Sequence, residues 1–94
     1  MTLSMTRAER EEFLAGVHVG VLGVTEPDGG ALAVPIWYGY ELGGDLWIVT
    51  AAESRKGRAL EASRRFSLCA QTEEVPYRYV SVAGEVAATR PVTQ

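Results

Sequence analysis

Hydrophobic residues recur with a helical period at the start of the chain and with a strand period over most of the remaining sequence. Residues 6–15 carry Phe13 and Leu14 on one apolar face, which is typical of a helix packed against a core. Thr6 and Glu9 have the spacing of a capping box, in which each side chain accepts from the other residue's backbone N–H. The pattern therefore predicts an N-terminal helix over residues 6–15.

Segments rich in β-branched or alternating residues predict five strands, and two of the turns between them carry Gly and Asp. A second predicted helix, residues 53–62, follows the third strand. In the last strand, alternation places Tyr79, Ser81, Ala83 and Glu85 on one face. The predicted strands are residues 17–25, 31–40, 46–50, 66–71 and 77–88.

This order of elements indicates a mainly β, α+β fold. We expect a small antiparallel barrel with an N-terminal helix and one helix after the third strand. Pro35 falls inside the second strand and has no backbone N–H to give to a neighbour, so it is expected at an edge or a bulge. The chain shows no internal repeat, low-complexity segment or linker, and one domain is therefore expected.

Composition narrows the classes of protein to consider. With 94 residues and 47% hydrophobic content, the chain can form one core, although a domain of this size has a high ratio of surface to volume. Association with a second copy would stabilise it. The net charge of -3 argues against nucleic acid or an anionic membrane as a partner. Without the apolar core of a signal peptide at its start, the chain is expected to be cytoplasmic.

Positive charge is concentrated in one short segment of this acidic chain. Residues 53–65 contain five Lys or Arg against two Glu, which gives +3. Three of these cations, Arg55, Lys56 and Arg58, fall at the start of the predicted second helix. A helix N-terminus already carries about half a positive charge, so cations there cost stability unless an anion binds beside them. The sequence therefore predicts a phosphate site at this helix start.

No side chain is indicated as a catalytic or metal-binding group. Cys69 is the one cysteine and His18 the one histidine, so neither a disulfide nor a metal site is expected within this chain. Cys69 is predicted to be a buried small hydrophobe, and His18 a hydrogen-bonded structural residue. Redox chemistry would therefore have to come from a bound cofactor.

Four segments come one after another in a distinctive order: Pro35-Ile36-Trp37-Tyr38, Trp47-Ile48-Val49-Thr50, Glu53-Ser54-Arg55-Lys56 and Gly84-Glu85. Together they resemble the pyridoxamine 5'-phosphate oxidase-like split β-barrel superfamily of flavin and deazaflavin oxidoreductases. The most specific element is the strand ending at Thr50 followed by the cationic helix start. The resemblance extends over nearly the whole chain and implies a split β-barrel that binds FMN.

The resemblance also implies roles for individual residues. Arg55 and Lys56 correspond to cations that contact the cofactor phosphate, with the hydroxyls of Thr50 and Ser54 beside them. A second segment corresponds to the strand that runs along the flavin ring and offers it backbone groups. The residues of that strand are Val34, Pro35, Ile36, Trp37 and Tyr38.

Further properties implied by the resemblance concern the assembly and the reaction. Members are usually homodimers with two cofactor sites at the interface, and Tyr79 corresponds to a position that reaches the flavin of the partner subunit. The implied activity is hydride transfer between bound FMN and a small organic substrate, with no side chain required as acid or base. Family domains usually continue beyond the strand of Gly84, so residues 1–94 are expected to be a single domain without the last strand and helix.

Two alternatives to an FMN oxidoreductase remain open. The deazaflavin coenzyme also presents a phosphate, and its longer anionic tail would favour an additional cation such as Arg58. The other alternative is a flavin-binding or storage module without turnover. A nucleic-acid-binding barrel that uses Tyr77, Arg78 and Tyr79 as a stacking platform disagrees with the acidic composition.

Overall fold

A computed structural model of the chain describes residues 5–16, 18–75 and 77–89, which contain two helices and four strands. The N-terminal helix and the antiparallel sheet confirm the predicted mainly β, α+β class. Val17, at the start of the predicted first strand, lies outside the described residues. The elements are α1 (Arg7–Ala15), β1 (Val19–Thr25), β2 (Ala31–Trp37), α2 (Arg55–Ser63), β3 (Arg65–Gln71) and β4 (Tyr79–Glu85).

The first helix begins where its capping box predicts. Glu9 N–H donates to Thr6 Oγ1 at 3.1 Å, and Thr6 N–H donates to Glu9 Oε1 at 2.9 Å. Phe13 and Leu14 are buried, as the apolar face requires. The ring of His18 stacks on Phe13, and its Nε2 lies 2.9 Å from the Phe13 carbonyl oxygen. His18 is thus hydrogen-bonded to the last turn of α1, in agreement with a structural role.

The strands form one antiparallel sheet in the order β2-β1-β3-β4. β1 lies inside the sheet, and its residue Leu22 is opposite Val34 of β2 and Leu68 of β3. Pro35 lies on β2, which is an edge strand, as its missing N–H predicts. An edge strand has neighbours on one side only, so the sheet accommodates this proline without losing a bond between central strands.

Alternate residues of each strand point to one buried face. The core on this face contains Leu22, Ile36 and Leu68, with apolar side chains of α1 and α2 extending it towards the two ends of the sheet. The other face carries exposed aromatic side chains, among them Trp37 and Tyr79. Within the described residues, hydrophobic stabilisation of the sheet therefore comes from one side.

Cys69 corrects the prediction of a buried small hydrophobe. It is half-buried and lies on the open face, paired with Val21 of β1 and Ser81 of β4. Its neighbours Leu68 and Ala70 are the residues that point into the core. Because side chains of a strand alternate, Cys69 must point the other way.

The prediction of a third strand over residues 46–50 is wrong. The alternation of the segment is present, because Leu46 and Ile48 pack against the core while Trp47 is exposed. With the residues that the structure describes, however, its backbone pairs at a single isolated bridge, where Gly39 and Trp47 each donate an N–H to the other's carbonyl. A Cβ at Gly39 would collide with the Trp47 indole. Side-chain packing and this bridge keep the segment in place without a strand. The second helix therefore comes after the second strand and not after a third one.

The second helix is held to the sheet by a small apolar contact and an ion pair. Ala59 is fully buried against the residues of β1 and β2. Arg55, the first residue of α2, donates from Nε and Nη2 to both carboxylate oxygens of Glu26, at 2.6 and 2.7 Å. Glu26 belongs to the turn between β1 and β2, so this ion pair fixes the start of α2 to that turn.

Leu22 is 2% exposed in the middle of the sheet, so its truncation should be costly. We predict that Leu22→Ala lowers the free energy of unfolding by about 2 to 5 kcal/mol, because it removes apolar burial and leaves a cavity. Urea denaturation followed by circular dichroism measures this loss. Leu42→Ala, at an exposed residue of the turn after β2, is the control and should cost less than about 1 kcal/mol. Equal losses would contradict the burial of Leu22.

The ion pair of Glu26 should make stability depend on pH. The hydrogen bonds donated by Arg55 hold the pKa of Glu26 below its ordinary value of 4.5. A carboxylate with a lowered folded pKa stabilises the protein above its unfolded pKa, and this contribution is lost as the pH falls through the folded value. We therefore expect Glu26→Gln to lose less stability than wild type between neutral pH and a pH below 4.5, as measured by chemical denaturation.

The matched control for this pH dependence is Glu41→Gln. Glu41 is exposed and forms no ion pair with the described residues. Its variant should show the same loss of stability in acid as wild type. An acid-induced loss in Glu26→Gln as large as that of wild type would contradict a stabilising role for the ion pair.

Candidate functional site

The residues expected around the phosphate lie where the loop of residues 50–54 leads into α2. Thr50 Oγ1 and Ser54 Oγ are 3.1 Å apart. Ser54 Oγ also donates to the Ala51 carbonyl at 2.7 Å and accepts from the Gly57 N–H at 3.1 Å. A hydroxyl group has a single proton, so Thr50 is the donor in its contact with Ser54. Three other residues are thereby tied to one oxygen, the Oγ of Ser54.

Gly57 is a residue of this site that sequence analysis did not single out. A Cβ at this position would run into the Ala51 carbonyl oxygen and would lie 3.0 Å from that of Ala52. Glycine therefore allows the loop to approach the first turn of α2 this closely. The sequence does contain a signal, because a glycine among cations near a helix start costs about 1 kcal/mol relative to alanine and needs a reason.

The three cations at the start of α2 differ in what they contact. Arg55 is bound by Glu26, whereas Lys56 is half-buried, Arg58 is exposed, and neither forms an ion pair with the described residues. Nothing in the sequence pattern links Glu26 to this site, since it precedes Arg55 by 29 positions. A carboxylate of the protein itself therefore neutralises part of the positive charge that predicted a phosphate.

Hydrogen-bond donors and positive charge remain available at this helix start. Helix geometry leaves the N–H groups of Arg55 and Lys56 without an acceptor inside the helix. The first turn of α2 itself contains no acidic side chain, so the Glu26 carboxylate on Arg55 offsets only part of the positive charge at this helix end. Together with the ammonium group of Lys56, these groups can bind a phosphate-sized anion.

The residues expected along the ring, 34–38, divide between the core and the surface. Val34 and Ile36 point into the core, whereas Pro35 and Trp37 lie on the open face, and Trp37 is 67% exposed. In this segment a ligand can therefore reach backbone groups at the free edge of β2 and the side chains of Pro35 and Trp37.

The side chain of Tyr38 packs and forms a hydrogen bond within the fold. Its hydroxyl donates to the Leu14 carbonyl at 2.9 Å, which connects the end of β2 to the end of α1. Burial raises the pKa of the Tyr38 phenol. Tyr38 also packs close to Gly20, where a Cβ would lie 3.2 Å from its ring. These contacts keep its side chain in the core, so only its backbone can meet a ligand at the edge of β2.

Tyr79 lies apart from the other candidate residues. β4 and β2 are the two edges of the sheet, and the three strand spacings between them amount to about 14 Å. Tyr79 and Trp37 share the open face at the same end of the sheet and are 68% and 67% exposed. An open cavity of about 330 Å³ next to Tyr79 is lined by residues that include Tyr77 and Arg78. Within one chain, Tyr79 does not join the phosphate or ring residues.

Comparison with known proteins identifies the family. Residues 6–92 match the family model described as pyridoxamine 5'-phosphate oxidase. No curated protein matches the chain. In the part of the chain that the structure describes, no helix is long and apolar enough to cross a membrane.

Two solved structures share the fold. The conserved hypothetical protein Rv2991 from Mycobacterium tuberculosis is 28% identical with a TM-score of 0.77, over 88% of this chain and 52% of that protein. A protein described as an F420 reductase is 25% identical with a TM-score of 0.73, over 80% of this chain and 59% of that protein. The chain thus spans somewhat more than half the length of each.

The sheet topology and the N-terminal helix agree with the small split β-barrel of these relatives. The family match and these two structures agree with the resemblance to the pyridoxamine 5'-phosphate oxidase-like superfamily of flavin and deazaflavin oxidoreductases. Because the family model covers most of its length, the chain belongs to the pyridoxamine 5'-phosphate oxidase family.

Proposed function

We propose that this protein is an oxidoreductase that binds FMN and serves hydride transfer between the flavin and a small organic substrate. The observation that carries this proposal is the start of α2, where residues 50–58 combine open N–H groups, two hydroxyls and three cations. The family match and the F420 reductase among the structural relatives support a cofactor of the flavin type.

The residues at this helix start suit the phosphate of FMN. In the proposed complex, Lys56 and Arg55 supply positive charge, and the Thr50 hydroxyl turns from Ser54 to donate to a phosphate oxygen. Ser54 contributes by position, because its own proton is given to the Ala51 carbonyl. When bound, a flavin supplies the redox chemistry at its ring, while the protein binds and orients it.

The flavin ring is proposed to lie along β2. Among the described residues β2 pairs on one side only, so its outer backbone groups are open to the ring edge. In this arrangement residues 34–38 act through their backbone, with the side chains of Pro35 and Trp37 bordering the ring. The core positions of Val34, Ile36 and Tyr38 support this role by keeping the strand rigid.

We further propose that the active form is a homodimer. The open face of the sheet exposes Val19, Val21, Trp37 and Tyr79. An apolar patch of this kind is typical of a protein interface. A second copy on this face would bring its own Tyr79 towards the flavin held at β2, which a single chain does not do. This arrangement would give two cofactor sites for each dimer.

A deazaflavin-dependent reductase is the second candidate function. The F420 reductase among the structural relatives favours it, and so does Arg58, which is exposed next to the phosphate residues and can meet a longer anionic tail. A flavin-storage module differs from both in its kinetics. Bound cofactor that exchanges hydride no faster than free cofactor would favour storage over catalysis.

Replacing Lys56 tests the phosphate site. We predict that Lys56→Ala weakens FMN binding by about 1.5 to 3 kcal/mol, because a charge-assisted hydrogen bond to phosphate is lost. Quenching of flavin fluorescence during titration with FMN, and in parallel with the deazaflavin coenzyme, measures both affinities. Arg7→Ala is the control, because it also removes one positive charge, from an exposed residue of α1 that is not part of the candidate site. This variant should bind FMN with wild-type affinity.

Either of two outcomes would contradict the assignment. Wild-type protein that binds neither cofactor at micromolar concentration would refute a flavin site at α2. Wild-type affinity in Lys56→Ala would show that the phosphate lies elsewhere.

The open face provides a test of the dimer. We expect wild-type protein to sediment as a dimer and Trp37→Asp to shift it towards the monomer, because a charge would be buried in the interface. Analytical ultracentrifugation distinguishes the two states. Leu42→Asp changes an equally exposed apolar residue of the turn after β2 and should leave the dimer intact. A monomeric wild type, or dissociation by both variants, would contradict the proposed interface.

A further inference from the structure

The carboxylate of Glu26 contacts one of the cations that the proposed function assigns to the cofactor phosphate. Arg55 Nε donates to Glu26 Oε2 at 2.6 Å and Arg55 Nη2 donates to Oε1 at 2.7 Å, so one whole edge of the guanidinium is used. Two parallel bonds of this kind are also the geometry in which arginine binds phosphate. A phosphate that binds through this edge of Arg55 must therefore displace the carboxylate of Glu26.

The two partners differ in their freedom to move. Glu26 opens the β1–β2 turn, where its N–H donates to the Gly30 carbonyl at 2.7 Å and its carbonyl accepts from the Gly29 N–H at 2.8 Å. The side chain of Glu26 is 14% exposed, whereas that of Arg55 is 69% exposed. Arg55 is thus the partner that can change its position without disturbing the backbone around it.

Charge makes it unfavourable for both anions to share Arg55. A phosphate monoester carries a charge of about -1.5 to -2 at neutral pH. A phosphate on Arg55 would approach the carboxylate of Glu26, and Asp28 is a second acid whose negative charge acts on both partners of the ion pair. Because like charges at short range repel, a phosphate on Arg55 destabilises a carboxylate that remains beside it.

We propose that Glu26 is a displaceable internal anion, which neutralises Arg55 in the empty protein and gives up the guanidinium when the cofactor phosphate binds. This exchange rests on the proposed function, since it requires a phosphate at the start of α2. The exchange lowers the affinity for phosphate ligands, because the ion pair must break before the phosphate can bind this edge of Arg55. Ligands without a phosphate leave the ion pair in place and are not affected by it.

Glu26→Gln tests the exchange, because glutamine keeps the size of the side chain and removes its charge. The probes are FMN and riboflavin, which lacks the phosphate. We expect the variant to bind FMN about three- to tenfold more tightly than wild type, from the lost ion pair and the lost repulsion, with riboflavin affinity unchanged. Glu61→Gln on α2, which breaks the 3.2 Å pair with Arg64, is the charge-matched control and should bind FMN as wild type does.

The two probes separate failure of the exchange from failure of the phosphate site. Wild-type protein that prefers FMN over riboflavin, together with unchanged or weaker FMN binding by Glu26→Gln, would overturn the exchange and leave the site intact. Wild-type protein that binds both flavins equally would overturn the phosphate site and the exchange with it.

A second measurement uses the wild-type protein and does not depend on the folding of a variant. Carbon NMR of the Glu26 carboxyl group reports its pKa, which the hydrogen bonds from Arg55 lower in the empty protein. With FMN bound, we expect this pKa to rise to its ordinary value of 4.5 or above, because the guanidinium leaves and a phosphate approaches. A pKa that stays low in the FMN complex would show that the ion pair persists, and would overturn the exchange.

Discussion

The candidate site depends on the hydroxyl oxygen of Ser54. Among the described residues, one bridge and apolar side chains join residues 46–50 to the rest of the fold, and no strand ladder there positions the loop after them. The contacts of Ser54 with Thr50, Ala51 and Gly57 take over that task. They cap α2 and join the loop of residues 50–54 to its first turn. The position of this positively charged helix start therefore depends on hydrogen bonds to an uncharged atom, the hydroxyl oxygen of Ser54.

Local features of the structure can be derived from the sequence, and contacts between distant residues cannot. The capping box of α1 was predictable because its two residues are three positions apart. Residues 46–50 do alternate, with Leu46 and Ile48 packed against the core, but alternation does not show whether another backbone is within reach to form a ladder. The partner of Arg55 could not be predicted, since Glu26 reaches it only after the β1–β2 turn has folded against α2.

The sheet of the described residues is covered on one side and bare on the other. Its buried side combines three small clusters around Phe13, Leu22 and Val24, with α1 and α2 at the two ends. Its bare side carries two exposed aromatic residues and two half-exposed valines. This bare side is the surface that the proposed second copy would cover.

Pro35 has a consequence for how the protein behaves at high concentration. β2 is an edge strand, and exposed strand edges are the places where copies of a protein can add to each other as growing sheets. A proline in the middle of that edge offers no N–H to an incoming strand, so an added ladder would be interrupted there. The edge therefore stays open to a small molecule while it is a poor template for aggregation.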